Sequence, residues 1–207
     1  MLAYIKGELA QKQIGYIVVD VGGLGYKIFM SEPSIDEIGN IGDTVKVHTY
    51  YKVSEDDISI YGFKTQEELR MFELLISVSG IGAKTAIAML ACIEPSQFAI
   101  AVISNDLDTL RRIPGVGPKS AQRIVLELKD KMKKEQQLSE LTNATVEQKS
   151  KIKKVIVADS KVQEATDALQ VLGYTRKDIE KVLEQIDTDS LTIEEIIKAG
   201  LREISKR

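Results

Sequence analysis

The chain has 207 residues, of which 43% are hydrophobic and 29% charged, enough for one large folded domain or two to three small ones. One cysteine and one histidine exclude a disulfide framework and argue against a zinc site. The net charge of −3 argues against a uniformly basic nucleic-acid binder. The sequence shows neither a signal-peptide pattern nor an apolar run near the roughly 18 residues that cross a bilayer. It therefore predicts a cytoplasmic protein without membrane attachment.

Residues 1–63 have the pattern of short β-strands. Runs rich in β-branched and aromatic residues occur at residues 14–21, 26–30, 44–51 and 58–63. Four residues, GGLG, join the first pair of strands, and a polar tip at residues 53–57 joins the second. Short strands with glycine-rich turns predict a small closed barrel of the oligonucleotide-binding (OB) type, although the pattern does not distinguish it from an SH3-like barrel.

From Lys64 the apolar residues recur with the period of an α-helix. This helical spacing is clearest in Leu69, Phe72, Leu75 and Ile76, and again in Ile124, Val125 and Leu128. Residues 64–134 carry 11 basic and 8 acidic side chains, whereas the segments on either side are net acidic. We therefore predict a helical domain at residues 64–135 and expect any contact with a polyanion to concentrate there.

The last third of the chain divides into a linker and a small helical domain. Residues 136–159 are rich in Gln, Ser, Thr, Glu and Lys without a sustained apolar period, which predicts a flexible linker. Three apolar stripes follow in residues 160–207 and predict three helices. Gly173 marks the end of the first of these helices and Thr175 is a candidate cap for the second. Helical domains of this size are usually adaptors rather than enzymes.

A duplicated motif is the most informative feature of the sequence. Residues 79–86, SGIGAKTA, match residues 114–121, PGVGPKSA, at an offset of 35. Each copy has an apolar helical stretch, then Gly-aliphatic-Gly, then a second helix that begins near the lysine. A nucleotide-phosphate loop would require glycine directly before the lysine and a preceding strand, and both copies lack these features in the same way.

The motif instead indicates a helix-hairpin-helix contact with DNA. Its two glycines allow a sharp turn and a close approach to a ligand. We expect Ile81 and Val116 to point inward, while amide groups at the start of the second helix face an anion such as a phosphate oxygen. Lys84 or Lys119 would add a cation at the same edge. A simple packing turn is the alternative for one copy, but two copies that both keep the lysine disfavour it.

Taken together, these features resemble the RuvA family, which binds Holliday junctions in the bacterial RuvAB branch-migration machine. The resemblance rests on MLAYIKG at residues 1–7, VGGLGY at residues 21–26, an acidic hairpin running to YGF at residues 61–63, and the tandem hairpins, linker and three-helix tail. It implies an α+β multidomain fold and a homotetramer that holds a four-way junction open and near-square-planar. Whether one tetramer or an octamer encloses the junction stays open.

The resemblance also implies partners and roles. The C-terminal domain would bind the RuvB ATPase hexamer, and the RuvC resolvase would be a further partner in DNA recombination and repair. No cofactor and no intrinsic catalytic activity are implied. The implied DNA contacts are Gly80, Gly82, Lys84, Thr85, Gly115, Gly117, Lys119, Ser120 and Arg123. The implied acidic pin is Glu55 and Asp56, with Asp57 as an additional acid. The candidates for an apolar docking patch are Leu169, Leu172 and Tyr174.

Two other classes of function predict different properties. A helix-hairpin-helix glycosylase would need a base-flipping pocket, and a nuclease would need clustered carboxylates that hold a metal. The dense acidic cluster at residues 55–57 lies outside the hairpin region, which disfavours a nuclease. A protein-only adaptor would not bind DNA even at low salt.

Overall fold

The N-terminal part of the chain is a closed five-stranded barrel. The computed structural model describes residues 2–55, 57–143, 160–188 and 190–205. The strands are β1 (Tyr4–Gln13), β2 (Tyr16–Val21), β3 (Leu24–Phe29), β4 (Thr44–Val53) and β5 (Ile58–Phe63). They close in the order β1-β2-β3-β5-β4, with only the β3–β5 pair parallel. This closed barrel confirms the OB-type fold predicted for residues 1–63.

The barrel core consists of aliphatic side chains that alternate along the strands. It includes Ile5, Leu9, Ile17, Val19, Ile28, Val45 and Val47, all nearly or fully buried. Alternation places these side chains inside and leaves the polar neighbours in solvent, as expected for a strand with one buried face. Gly62 allows close packing in this core, because a Cβ there would lie 2.3 Å from Cγ2 of Ile28.

Three features of this part of the chain differ from the sequence prediction. Strand β1 was not predicted from the strand pattern, and the predicted strand at residues 14–21 begins two residues later, at Tyr16. Ile14 lies in the turn and is 90% exposed, next to Gly15 at φ +80°. A short helix, α1 (Glu32–Glu37), also follows β3. Ile14 was counted into the strand because it is apolar, although turn geometry places it in solvent.

Helix α2 (Gln66–Ile76) packs on the barrel through an aromatic cluster. The ring of Phe72 lies 4.8 Å from that of Phe63, 5.3 Å from that of Tyr50 and 5.4 Å from that of Tyr61, measured between centroids. Phe72 is completely buried. The helix begins at the N-cap Thr65, whose hydroxyl accepts a hydrogen bond from the Glu68 amide. This packing fixes the helix that leads into the first repeat of the duplicated motif.

The carboxylate of Glu68 is held at the same junction. It accepts hydrogen bonds from the Lys64 amide at 2.9 Å and from the Ser34 hydroxyl at 3.2 and 3.3 Å. Desolvation by burial nevertheless raises the pKa of Glu68 above its ordinary value. The folded state therefore binds this proton more tightly than the unfolded state does. Stability from this group is present at low pH and is lost as the pH rises through the interval between the unfolded and folded pKa values.

We expect Glu68→Gln to remove this part of the pH dependence. Glutamine keeps an acceptor for the Lys64 amide and for the cap, but it has no proton to lose. The measurement is the free energy of unfolding of both proteins from about pH 4 to about pH 8. The free energy of unfolding of the variant, relative to that of the original protein, should rise with pH and then level off. A difference that stays constant with pH would contradict the raised pKa.

In the described residues after the barrel, all regular secondary structure is helical. After α2 the helices are α3 (Ala83–Leu90), α4 (Pro95–Ile103), α5 (Leu107–Arg111), α6 (Pro118–Asn143), α7 (Ser160–Val171), α8 (Arg176–Leu183) and α9 (Ile193–Ser205). No single helix in the described segments is long and apolar enough to cross a membrane, and α3 with α4 passes such a test only as a bent pair.

Helix α6 corrects the predicted start of the linker. We expected a flexible segment from residue 136, whereas the helix continues to Asn143. Residues 136–143, QQLSELTN, contain Gln, Leu and Glu, which favour helix even where the apolar period is weak. Residues 144–159, the remainder of the predicted linker, lie outside the described residues.

The C-terminal helices confirm the three predicted stripes. Within α8, the side chains of Ile179, Val182 and Leu183 are buried, and α9 contributes Ile196, Ile197 and Leu201. Gly173 ends α7 with φ +80°, and the Thr175 hydroxyl accepts a hydrogen bond from the Asp178 amide at the start of α8. Both predicted boundary residues therefore act as the sequence indicated.

Candidate nucleic-acid interface

The first copy of the duplicated motif is a sharp turn between α2 and α3. Gly80 has φ +86°, a backbone conformation that disfavours every residue with a Cβ. Ile81 follows with its side chain 7% exposed, so it points inward as predicted. Gly82 is the N-cap of α3 and has no side chain to accept hydrogen bonds from the first turn. The start of α3 therefore keeps its amide donors available for a ligand.

The second copy, between α5 and α6, repeats this geometry. Gly115 has φ +83°, within 3° of its counterpart Gly80 at +86°. Val116 is 5% exposed and takes the inward position of Ile81. A Cβ built on either Gly82 or Gly117 would meet no atom within 4 Å, so both second glycines face open space. The two hairpins thus share the turn conformation, the inward aliphatic residue and the open second glycine.

The start of α6 has one backbone N–H donor fewer than the start of α3. The first intrahelical bond of α3 runs from the Ala86 amide to the Gly82 carbonyl, and that of α6 from the Ala121 amide to the Gly117 carbonyl. In α3, the amides of residues 83, 84 and 85 precede the first intrahelical donor and are open to a ligand. In α6 one of the three positions is Pro118, which has no N–H to donate. Both helix starts favour an anion, because the partial positive charge of the helix dipole lies there.

Cationic and hydroxyl side chains surround these backbone donors. Lys84 and Lys119 are exposed, and the hydroxyl residues Thr85 and Ser120 are partly exposed. In the part of the chain that the structure describes, neither lysine is paired with a carboxylate. A Cβ on Gly115 would lie 3.8 Å from Cγ2 of Thr85, so one hairpin adjoins the other here. The arrangement can bind phosphate through main chain and ammonium groups, without contacting a base.

Arg123 makes a protein contact that the sequence did not predict. Its Nη1 donates a hydrogen bond to the Ser79 carbonyl at 3.0 Å, although the residue is exposed. One turn further along α6, Glu127 accepts a hydrogen bond from the Ser79 amide at 3.1 Å. The spacing i and i+4 places these two residues on one helix face, but it does not identify Ser79 as their partner. Arg123 therefore supports the first hairpin in addition to its expected phosphate contact.

Lys129 has a structural role as well. Its ammonium group donates to the Ile103 carbonyl at 2.8 Å and to Oδ1 of Asn105 at 2.9 Å. Asn105 has φ +56° and follows the end of α4. The ammonium group of Lys129, on α6, thus serves a carbonyl at the end of α4 that has no partner within its own helix.

The predicted acidic pin lies at the tip of the β4–β5 hairpin. Glu55 is exposed there, and Asp56 lies outside the described residues. Asp57 has a local role: its carbonyl accepts hydrogen bonds from the Ser54 amide at 2.9 Å and the Ser54 hydroxyl at 2.8 Å. Its carboxylate also accepts a hydrogen bond from the Ser59 hydroxyl. The tip is thus a closed turn that projects Glu55 into solvent.

Comparison with known proteins covers each part of this architecture. The model of the "RuvA N terminal domain" matches residues 1–62, that of the "SAM-like Helix-hairpin-helix tandem" matches residues 72–130, and that of the "RuvA, C-terminal domain" matches residues 160–205. A protein of Acetivibrio thermocellus is 48% identical over 207 residues, 100% of both chains. The chain belongs to the RuvA family.

Other RuvA relatives match over nearly the same length. One from Ruminiclostridium cellulolyticum is 42% identical over 204 residues, 99% of this chain and 100% of the relative. One from Clostridium botulinum is 39% identical over 206 residues, 100% of both chains. All three relatives bear the name "Holliday junction branch migration complex subunit RuvA". The family resemblance stated from the sequence is therefore confirmed.

The docking patch expected in the RuvA C-terminal domain needs correction. Leu169, Leu172 and Tyr174 are 0%, 1% and 8% exposed, so they form the core of the domain rather than an apolar surface. All three lie at or near the end of α7, where the chain turns back at Gly173. An apolar stripe in a three-helix domain this small is needed for its core, which is the physical reason the expectation failed.

Proposed function

We propose that this chain is the DNA-binding subunit of a Holliday junction branch migration complex, the role that the names of its relatives give them. The observation that carries the proposal is the pair of hairpins whose first glycines, Gly80 and Gly115, share one backbone conformation and whose lysines are both exposed. Two phosphate contacts from one chain suit the backbone of a DNA arm. We propose that Gly80, Gly82, Lys84, Thr85, Gly115, Gly117, Lys119, Ser120 and Arg123 make these contacts.

The assembly follows from the shape of the substrate. We propose a homotetramer with fourfold symmetry, because each of the four arms of a junction then meets an identical surface. The barrel and hairpin segments, residues 1–63 and 64–135, would hold the junction open, and residues 160–207 would bind the RuvB ATPase. RuvC would act on the same DNA. The chain itself would supply no catalysis and would work in the bacterial cytoplasm, where its DNA substrate lies.

The test is a competition between branched and linear DNA. A labelled four-way junction bound to the full chain is titrated with an unlabelled linear duplex made from the same arm sequences, while light scattering measures the mass of the complex. We expect the junction to stay bound in excess duplex, with a mass of four or eight chains. Equal competition by the duplex would contradict the proposal, because it would mean that the branch point is not recognised.

The pin is proposed to guide strands by repulsion rather than to bind them. Where the four strands converge, an exposed carboxylate meets phosphates of the same charge. Two unit charges 4 Å apart interact by about 1 kcal/mol in water and about 4 kcal/mol at an effective dielectric constant of 20. A repulsion of this size is enough to bias the path of a strand at the crossover.

We therefore expect Glu55→Gln with Asp56→Asn to leave junction affinity unchanged or higher while altering the rate of branch migration with RuvB. The affinity follows from fluorescence anisotropy, and the rate from strand separation of a mobile junction. For the affinity measurement, which does not involve RuvB, a matched control is Glu184→Gln with Asp187→Asn, which removes the same charge from the C-terminal domain. Weaker junction binding by the pin variant alone would show that the pin attracts DNA, against the proposal.

A further inference from the structure

The turn of the first hairpin is held by a helix that belongs to the second. Both polar groups of the Ser79 peptide backbone are bonded to α6: the amide donates to Glu127 at 3.1 Å and the carbonyl accepts from Arg123 at 3.0 Å. The next residue is Gly80, at φ +86°. A Cβ on Gly80 would lie 3.3 Å from Nη1 of Arg123, so the guanidinium lies directly against the turn. The side chains of α6 thus fix the backbone of the turn on both sides of Ser79.

Among the described residues, the second hairpin has no equivalent of this pair of bonds. At the offset of 35 residues, Ser79 corresponds to Pro114, which has no N–H to donate. Arg123 and Glu127 correspond to Ala88 and Cys92, whose side chains are too short and too weakly polar to make the same pair of bonds. The duplicated motif is therefore symmetric in its glycines and lysines but asymmetric in its support. In the described part of the chain, the pair of side chains that holds the backbone serves the first copy.

We propose that Glu127 is a positioning residue, which together with Arg123 sets the first hairpin in the conformation that binds phosphate. The inference rests on the proposed function of the hairpins. Its physical basis is preorganisation, because a turn already held in its binding conformation loses less conformational entropy when DNA arrives. The amide of Ser79 is occupied by Glu127, so the phosphate would bind the later amides at the start of α3.

The charge of Glu127 makes this proposal distinguishable from a purely electrostatic role. A carboxylate beside a phosphate-binding turn repels DNA, so charge removal alone would tighten binding for every neutral substitution. A positioning role predicts instead that the outcome depends on whether the new side chain can accept a hydrogen bond. Glutamine can accept one through its amide oxygen, whereas alanine and methionine cannot.

The experiment compares Glu127→Gln, Glu127→Ala and Glu127→Met in the full chain. We expect the Gln variant to bind a four-way junction within about twofold of the original or more tightly, and the Ala and Met variants to bind about threefold to tenfold more weakly. Met keeps the length and helix propensity of Glu, so it serves if the Ala variant fails to fold. Asp130→Ala, which removes a charge from an exposed position of the same helix, controls for electrostatics.

Hydrogen exchange of the free protein supplies a readout that does not depend on DNA. The Ser79 amide should exchange faster in the Ala and Met variants than in the Gln variant, while the Ser79→Ala variant, which keeps both backbone contacts, should bind like the original. Equal binding and equal exchange in all three Glu127 variants would overturn the inference. If the original chain showed no preference for a junction, the proposed function would fail, and the exchange data would still decide whether Glu127 holds the turn.

Discussion

Replacing Lys84 and Lys119 together by alanine will weaken junction binding and reduce its dependence on salt. Both ammonium groups are exposed beside the open starts of α3 and α6. Each lysine that neutralises a phosphate releases a counterion, so the slope of log K against log salt changes by about 0.9 per contact. Loss of both should therefore flatten the slope by about 2 for each subunit that contacts DNA. The measurement is a series of anisotropy titrations at several salt concentrations.

A matched control separates this contact from a general change of charge. Lys177→Ala with Lys181→Ala removes the same two charges from exposed positions of α8, in the C-terminal domain. We expect the control to keep nearly the original slope. The phosphate role of the hairpin lysines would be wrong if the two double variants flattened the slope equally, or if neither changed it.

The largest effect on stability is expected from Phe72→Ala. The ring is fully buried and contacts Tyr50, Tyr61 and Phe63, so its removal leaves a cavity between α2 and the barrel. Phenylalanine-to-alanine changes in a core cost about 3 to 5 kcal/mol. Six of the seven tyrosines lie in residues 1–63 and the chain has no tryptophan. Tyrosine fluorescence during denaturant unfolding therefore reports mainly on the barrel and gives the free energy directly.

Phe72→Leu is the appropriate comparison for this variant. It keeps most of the apolar volume and should lose much less stability than the alanine variant, because the cost depends on the cavity that remains. A loss below about 1 kcal/mol for Phe72→Ala would contradict the view that this ring joins α2 to the barrel. Because α2 leads into the first hairpin, we also expect the alanine variant to bind junctions less tightly.

How far the sequence predicted the fold depends on how strong each local signal was. Strands β2 to β5 were predicted, within a few residues, because their apolar residues alternate between recognisable turns. Strand β1 was missed because only Ile5 and Leu9 are buried along its whole length, with Lys6, Gly7 and Glu8 between them. Its place in the barrel depends on pairing with β2 and β4, which is a tertiary effect. At Gly7 a Cβ would lie 2.2 Å from the Asp20 carbonyl oxygen, a constraint that only the assembled barrel reveals.

The hairpins were predicted more completely than their surroundings. The repeated Gly-aliphatic-Gly-x-Lys pattern carries its own backbone requirement, and the inward positions of Ile81 and Val116 follow from it. The contacts of Ser79 with Arg123 and Glu127 join residues more than 40 positions apart, so no local pattern could reveal them. The buried position of Leu169 and its neighbours shows the opposite error, in which an apolar stripe needed for the core was assigned to the surface.

The most direct test of the central claim is amide hydrogen exchange of the full chain, with and without a bound four-way junction. If main-chain donors at the two helix starts bind phosphate, the junction should slow exchange at Ala83, Lys84 and Thr85 and at Lys119 and Ser120. Exchange of the amides in α8 should stay the same when the junction binds, because that helix is assigned no DNA contact. Tight junction binding that leaves both hairpins as unprotected as in the free chain would contradict the account.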